Sequence, residues 1–517
     1  MSTNTPSAAA RPTRAVCAAI ALLVAVGCSG TRRAPSAADL AAPAEPQRPN
    51  VVVVLADDLG WGELGCYGQE RIPTPAIDAL AARGVRFTQG YSGSPVCAPS
   101  RCVLLTGRHT GHATIRNNTE NGGLRFGPDA LEGQTPLPAG EWTVARELHD
   151  AGYRTGFVGK WGLGGPDTTG HPLDQGFDRF YGILCQRKAH GFYPTHLWSD
   201  RDREPLAGNA YLAEHQKLDA PLSTESEYYE RYCGTTYAPD RIIDEAVAFV
   251  ETAADEDAPF FLVYASPIPH VALQVPPTEL DAFPRDWDTA PYLGEGGYVP
   301  HPRPRAAYAA MIARLDRQVG RLVEALERTG ELEHTLVVFT SDNGPTYAGG
   351  VDAEFFDSAG GLRGLKGSVF EGGVRVPFVA SLPGVIEPGS TSEFPCGFQD
   401  LAPTVLELAG RALPSTVELD GESLVPVLRG AAPSERRTPL YWELGRQQAV
   451  RVGDLKAVRT GLGSDSPKLA LFDLAADPAE STDLAPERPD LVARFERVFE
   501  AAREPSTLFP LRGVDRP

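Results

Sequence analysis

The chain has 517 residues and a formal net charge of −19, with 42% hydrophobic and 22% charged residues. This is the composition of a globular protein, and the length suits one large domain with a smaller one. An acidic chain has no general attraction for nucleic acid, so its charge argues against nucleic acid as a partner. An anionic substrate would need a local cationic pocket made by a metal ion, Lys or Arg.

The N-terminal segment has the pattern of an export signal. Arg11 and Arg14 precede an apolar run over residues 15–27, which is too short to cross a bilayer as a helix. The run ends in Ala-Val-Gly before Cys28 and resembles a bacterial lipobox without the usual Leu. The resemblance implies that residues 1–27 are a signal peptide and that a lipid on Cys28 is the only membrane contact. We expect an exported protein, periplasmic or anchored in the outer membrane as a lipoprotein, with simple secretion as the alternative.

Residues 28–48 are rich in Ala, Pro and Ser, which predicts a flexible linker. After them, buried strand patterns alternate with helical patterns. The predicted strands lie at 50–55, 155–159, 260–264 and 335–340. The predicted helices lie at 75–83, 141–151, 240–253 and 308–329. This alternation predicts an α/β fold for residues 49–430, with a central, mostly parallel sheet sandwiched by helices.

The pattern changes after residue 430. Short runs separated by turns predict antiparallel strands at 440–443, 448–452, 455–459 and 469–472. A helical pattern follows at 489–503. We therefore predict a small C-terminal α+β subdomain with an antiparallel sheet over residues 431–517.

Acidic pairs follow two of the predicted strands. Asp57-Asp58 comes directly after the first strand, and Asp342-Asn343 comes directly after the strand at 335–340. Ligands gather beyond the carboxyl ends of parallel strands, and two acidic pairs brought together there would repel unless a cation lay between them. Because all the donors are oxygens, Ca²⁺ or Mg²⁺ is favoured over Zn²⁺. The alternative is that each pair caps a turn or the next helix.

A cysteine lies at the start of another predicted helix. Pro99 suits the first turn of a helix over 100–105, and Gly107 suits its end. Cys97 would lie at the helix N-terminus, where the dipole favours an anion, with Arg101 about one turn further on. Three alternatives stay open: a buried structural cysteine, a thiolate phosphatase in which the Arg comes too soon, and a zinc pair with Cys102 that lacks a second pair.

Residues 97–107 form the complete pattern Cys-x-Pro-Ser-Arg-x-x-x-x-Thr-Gly, which resembles the type I sulfatases of the alkaline-phosphatase superfamily. Other segments resemble motifs of that family in its order: 50–62, 159–164, 269–270, 342–344, 362–377 and 471–480. The resemblance implies an alkaline-phosphatase-like fold, hydrolysis of a sulfate monoester, and bound Ca²⁺ or Mg²⁺. It also implies that a maturation enzyme oxidises Cys97 to formylglycine (3-oxoalanine). One hydroxyl of its hydrate would attack sulfur, and the other would later expel sulfate.

The resemblance also implies roles for single residues. The metal ligands would be Asp57, Asp58, Cys97 in its modified form, Asp342 and Asn343. Lys160 and Lys366 would bind the sulfate oxygens, and Arg101 would hold the gem-diol. His270 would protonate the leaving alkoxide as the general acid.

One position departs from the family pattern. Many members carry a His that touches the formylglycine where this chain has Gly162. His171, His190 and His196 lie nearby in sequence and could substitute. Residues 186–196 combine basic, His and aromatic side chains, which predicts a substrate-recognition loop with His190 and His196 as substrate-binding residues. The alternative is a turn whose aromatic rings pack on the core.

The substrate is expected to be a sulfated small molecule or glycan, because a lipoprotein-like sulfatase suits the scavenging of extracellular glycans. Long loops over residues 190–305 are expected to form the substrate rim. Two rival functions remain. One is a phosphodiesterase or phosphonate hydrolase with the same metal site. The other is a non-catalytic glycan-binding lipoprotein, which would require Cys97 to stay unmodified.

Overall fold

Within residues 48–120, 132–431 and 435–515, which this computed structural model describes, ten strands form the main sheet. The predicted signal peptide, Cys28 and the linker up to residue 47 lie outside the described residues. The strands are β1 (Asn50–Ala56), β2 (Val85–Phe87), β3 (Gly90–Tyr91), β4 (Arg154–Lys160), β5 (Arg179–Ile183), β6 (His196–Ser199), β7 (Asp202–Pro205), β8 (Phe260–Ala265), β9 (Thr335–Ser341), β10 (Phe378–Ser381), β11 (Ser390–Ser392), β12 (Cys396–Gly397), β13 (Leu440–Leu444), β14 (Gln447–Val452), β15 (Leu455–Thr460) and β16 (Lys468–Asp473).

The α-helices of the described residues are α1 (Pro75–Ala82), α2 (Cys97–Thr106), α3 (Val144–Asp150), α4 (Glu225–Tyr232), α5 (Ala238–Ala253), α6 (Pro304–Thr329), α7 (Glu371–Val374), α8 (Leu401–Leu408), α9 (Val425–Leu428) and α10 (Pro489–Ala501). No helix in this part of the chain is both long enough and apolar enough to span a bilayer.

The main sheet has the order β11-β2-β10-β9-β1-β8-β4-β5-β6-β7. Its centre, β9-β1-β8-β4-β5, is parallel throughout. On either side, β10 runs antiparallel to β9, and β6 runs antiparallel to β5. The prediction of a mostly parallel central sheet is confirmed.

Helices cover both faces of this sheet. Val52 and Val54 of β1 pack in one core with α1, α5 and α6. Val51 and Val53, which point the other way, pack in another core with α2, α3 and α8. Every residue of β1 is buried, as expected for a β-branched run in a sheet that is covered on both sides.

The predicted central elements are all present, and the differences lie at their ends. Each of the four predicted strands is extended by one or two residues. The helix predicted from residue 141 begins only at Val144, because the Thr143 side chain accepts a hydrogen bond from the Arg146 amide and caps it. The helix predicted from residue 308 begins earlier, with Pro304 in its first turn.

Within residues 435–515, β13 to β16 form an antiparallel sheet in chain order. One face packs against α10, with Tyr441 and Val450 meeting Phe495. The other face packs against Tyr91 and Val374, which come from the preceding part of the chain. The C-terminal antiparallel sheet and its helix are confirmed.

A buried lysine joins this sheet to α7. Lys456 in β15 is fully buried, and its Nζ lies 2.8 Å from an oxygen of Glu371 and 3.0 Å from an oxygen of Glu480. Burial opposes the ionisation of Glu371, but Lys456, Arg375 and Arg451 together hold its pKa at about 2. Because Glu371 lies five residues after Lys366, this ionic group supports the segment that carries Lys366.

Candidate functional site

The two predicted acidic pairs meet at one edge of the sheet. β1 and β9 are parallel neighbours, so the residues that follow them lie side by side. We call Asp57, Asp58, Asp342 and Asn343 the strand-end cluster; all four are fully buried. The Asp58 amide donates to Asp342 Oδ1 at 3.2 Å, and Asn343 Nδ2 donates to Asp58 Oδ1 at 2.8 Å. Asp58 has a φ of 68°, a left-handed conformation that a short polar side chain tolerates.

Cys97 is the first residue of α2, and Gly107 ends this helix with a φ of 65°. The predicted helix is present, but it spans residues 97–106 instead of 100–105, and its N-terminus faces the strand-end cluster. Candidate ligand atoms of Cys97, Asp57, Asp58 and His270 all lie within 4.8 Å of one another. Cys102 packs in the apolar core instead, which does not support a zinc pair.

The Cys97 thiol is almost completely buried, at 2% exposure. Burial raises its pKa to about 12, although Lys160 and Lys366 act in the opposite direction. An unmodified thiol here stays protonated at neutral pH and is a weak nucleophile.

Arg101 extends from the second turn of α2 into the strand-end cluster. Its Nη2 donates to Asp342 Oδ2 at 2.7 Å and lies 3.7 Å from Asp57 Oδ2. Burial alone would lower the pKa of Arg101, but Asp342 and Asp57 raise it, so the guanidinium stays charged. This pairing fixes the helix that carries Cys97 to the ends of β1 and β9.

The two predicted lysines both reach the strand-end cluster. Lys160, the last residue of β4, contacts Asp57 and places its Nζ 3.8 Å from Cys97 Sγ. Lys366 lies 2.7 Å from Asp58 Oδ2 and is partly exposed. The positive charges therefore line the site from two sides, where an anionic group could meet them.

His270 lies in the segment after β8, next to β1 in the sheet. Its Nε2 lies 3.7 Å from Asp58 Oδ2, and its Nδ1 contacts the Val271 carbonyl. That contact assigns the proton of the neutral ring to Nδ1 and leaves Nε2 facing the cluster. Burial, together with Lys160 and Lys366, lowers the pKa of His270 well below its usual value.

The strand-end cluster fits a divalent cation. Asp57 Oδ1 and Asn343 Oδ1 are buried and have no hydrogen-bond partner among the described residues. Burial and the neighbouring Asp57 raise the pKa of Asp342, as expected for carboxylates placed together without an added cation. Unpartnered acceptors beside carboxylates are the oxygen surroundings that Ca²⁺ or Mg²⁺ satisfies.

The histidines near residue 162 lie in different places. His190 stacks on His270, with ring centroids 5.1 Å apart, and so borders the site. His196 begins β6 and pairs instead with Glu132, at 3.1 Å between Nε2 and Oε1. His171 is buried and accepts a hydrogen bond from the Leu173 amide at its Nδ1. Of these three, only His190 is placed beside the strand-end cluster.

Gln186 and Tyr298 are two neighbours of the site that the sequence did not single out. A Cβ at Gly162 would lie 2.2 Å from Gln186 Nε2, so Gln186 fills the space that a side chain would need. That Nε2 is buried without a hydrogen-bond partner among the described residues. The Tyr298 ring lies 5.1 Å from His190 and 5.9 Å from His270. In the sequence, Gln186 was marked only by its place in the predicted loop at 186–196, and Tyr298 only by its place in the predicted rim at 190–305.

Comparison with known proteins gives consistent similarities. The family model "Sulfatase" matches residues 49–411, and the model "N-sulphoglucosamine sulphohydrolase, C-terminal" matches residues 365–501. The chain is 35% identical to arylsulfatase A of Homo sapiens over 486 residues, which covers 90% of this chain and 83% of the relative. It is 31% identical to N-acetylgalactosamine-6-sulfatase of Canis lupus familiaris, covering 82% and 74%. It resembles the crystal structure of Ps i-CgsB in complex with k-i-k-neocarrahexaose, with a TM-score of 0.70, 28% identity and coverage of 88% and 92%.

Binding of Ca²⁺ to the strand-end cluster should stabilise the folded chain. At a Ca²⁺ concentration of about 100 times its Kd, the free energy of unfolding should rise by about 2.7 kcal/mol. Calorimetry should then find a Tm that rises with Ca²⁺ concentration and falls again with a chelator. Asp57→Asn should reduce this shift, because it removes one ligand charge from the site.

The matched control is Asp244→Asn, which alters an exposed carboxylate paired with Arg321. This variant should keep the full Ca²⁺ shift. An equal shift in Asp57→Asn and the wild type would place the ion elsewhere.

Proposed function

The chain belongs to the sulfatase family and is a sulfuric ester hydrolase, and from this premise we propose that it hydrolyses the sulfate monoester of a sugar with a nucleophile made from Cys97. The observation that carries the proposal is the meeting of Cys97, Lys160 and the strand-end cluster in one buried site, with 3.8 Å between Cys97 Sγ and Lys160 Nζ. The sulfatase pattern at residues 97–107 lies on the helix that makes this meeting possible.

The names of similar proteins support a sugar as the substrate. The relative from Canis lupus familiaris is named N-acetylgalactosamine-6-sulfatase, and the similar solved structure is a complex with k-i-k-neocarrahexaose. We propose that this chain acts on a sulfated carbohydrate of the same general class.

Two groups complete the proposed site. A maturation enzyme oxidises Cys97 to formylglycine, whose hydrate supplies a hydroxyl nucleophile. Ca²⁺, or Mg²⁺, supplies positive charge for the oxygens of the sulfate. The residues that would hold the cation are Asp57, Asp58, Asp342 and Asn343, with modified Cys97.

The chain's own residues have separate tasks in this proposal. Arg101 orients residue 97 through its pairing with Asp342, which fixes α2. Lys160 and Lys366 bind the sulfate oxygens, where negative charge grows as sulfur is attacked. The buried walls exclude water and strengthen these electrostatic contacts.

His270 handles the proton of the leaving group. The arrival of an anionic sulfate favours the protonated imidazole, and the Val271 carbonyl already holds Nδ1. Nε2 then carries the second proton and can donate it to the departing alkoxide. A sugar alkoxide is strongly basic, so this proton transfer is an important part of the barrier.

Replacing the nucleophile should abolish turnover. Cys97→Ala, made in a host with a maturation system, should lower kcat/KM for an aryl sulfate by at least about 10⁴-fold, because the covalent nucleophile is gone. Cys66→Ala, at a half-buried cysteine outside the site, should keep wild-type activity. In the active wild type, mass spectrometry should find a Cys97 peptide that is lighter than the thiol form and reacts with hydrazines.

A fully active preparation that contains only the thiol at Cys97 would contradict this mechanism. Faster turnover of an aryl phosphodiester than of an aryl sulfate would favour the phosphodiesterase alternative.

Removing the general acid should affect substrates unequally. His270→Ala should lower kcat by about 10²- to 10⁴-fold for a sugar sulfate, whose alkoxide needs a proton to leave. The loss should be much smaller for 4-nitrophenyl sulfate, because nitrophenolate leaves unprotonated. His334→Ala, which changes an exposed histidine, serves as the control. Equal losses on the two substrates would rule out this role.

We also propose that the chain is exported and carries a lipid on Cys28, which the lipobox-like residues 25–28 support. In its native host, the wild type should incorporate a labelled fatty acid and fractionate with membranes. Cys28→Ser should do neither, because the acceptor sulfur is missing. A soluble mature wild-type protein without lipid would show that the segment directs simple secretion.

A further inference from the structure

A pocket outside the strand-end cluster has His190 in its lining. It contains a cavity of about 80 Å³ between β6, the turn at residues 186–190 and the segment at 210–214. Charged and aromatic side chains share its lining: Glu132, Lys188, His190, Trp198, Tyr211 and Glu214.

This pocket shares a wall with the catalytic site. His190 lines the pocket and stacks on His270 at 5.1 Å between ring centroids. Val299 also lines it, and the adjacent Tyr298 contacts both histidine rings. Because His270 is the proposed acid for the leaving group, the alcohol part of a bound substrate lies on the His270 side of the site, which is the side that carries His190 and this pocket.

Glu214 gives the pocket a hydrogen-bond acceptor that lacks a donor. Its side chain is 7% exposed, and Oε1 lies 3.3 Å from Lys188 Nζ. Oε2 is buried without a hydrogen-bond partner among the described residues. An ionised carboxylate only accepts hydrogen bonds, so the missing partner must be an O–H or N–H donor.

Two aromatic rings, of Trp198 and Tyr211, add apolar surface to the lining of the pocket. Tyr211 lines the pocket and is 38% exposed as a residue, and Lys188 Nζ lies 5.7 Å from the centroid of its ring. Trp198 lies in the wall and is held by Glu132, whose Oε2 accepts from Trp198 Nε1 at 2.8 Å. His196 also lines the pocket, and its Nε2 lies 3.1 Å from the other oxygen of Glu132. An apolar ring face beside a charged acceptor suits a ligand with an apolar face and hydroxyl groups at its edge.

We propose that this pocket binds the pyranose ring on the leaving-group side of a sulfated saccharide. Glu214 accepts hydrogen bonds from ring hydroxyl or amide groups, and Tyr211 covers the face of the ring. This assignment rests on the proposed function, because His270 fixes the direction in which the substrate extends.

The test compares two substrates in each variant. The substrates are 4-nitrophenyl sulfate and the best turned-over member of a panel of monosulfated mono- and disaccharides. Glu214→Gln keeps the size of the side chain but removes the charge, so the ratio of kcat/KM for the saccharide over that for the aryl sulfate should fall by about tenfold or more, mainly through KM. Tyr211→Ala, at an exposed ring whose loss spares the core, should lower the same ratio.

The matched control is Glu324→Gln on the exposed side of α6, which should leave the ratio unchanged. As a binding measurement, the desulfated saccharide should inhibit aryl sulfate hydrolysis by the wild type with an inhibition constant about tenfold lower than for Glu214→Gln.

The outcomes separate this proposal from the function on which it rests. Turnover of both substrates with an unchanged ratio in Glu214→Gln and Tyr211→Ala would overturn the pocket assignment and leave the sulfatase function intact. Turnover of the aryl sulfate but of no saccharide would also overturn it. A matured wild type that hydrolyses no sulfate ester at all would overturn the proposed function itself.

Discussion

The burial of several carboxylates at adjacent strand ends is the constraint from which the rest of the site follows. Asp57, Asp58 and Asp342 are fully buried beyond β1 and β9. Burying several negative charges away from water costs free energy unless positive charges are buried beside them. The cations that offset them come from separate segments: Arg101, Lys160 and Lys366. A bound divalent cation would make this balance positive, so an otherwise acidic chain could attract an anionic ester at this one place.

The C-terminal sheet also supplies a cation to buried carboxylates, close in sequence to Lys366. Lys456 reaches out of its sheet into a fully buried position between Glu371 and Glu480. Removing one partner from such a group leaves an uncompensated buried charge, which costs more than the pair contributes while intact. The small sheet therefore helps to hold the segment that carries Lys366 in place.

The parts that could be predicted from sequence are those that local pattern and sheet topology determine. The β-branched run of β1, the first turn and the end of α2, and the meeting of two acidic pairs at strand ends need no knowledge of distant contacts. His190 and His196 are six residues apart in one string, yet one borders the site and the other pairs with Glu132. Gln186 begins a short 3-10 helix and Glu214 lies in a loop. The positions of both segments depend on packing with remote parts of the chain, and no periodicity marks such residues.

The contact between Gly162 and Gln186 limits how this sequence could have diverged. A histidine at residue 162 would overlap Gln186 Nε2, and the φ of 88° there already disfavours any side chain. A histidine at residue 162 would therefore require the Gln186 side chain to move and the backbone at residue 162 to change conformation. We therefore expect substitutions at residues 162 and 186 to be coupled, so that the residue tolerated at one position depends on the residue present at the other.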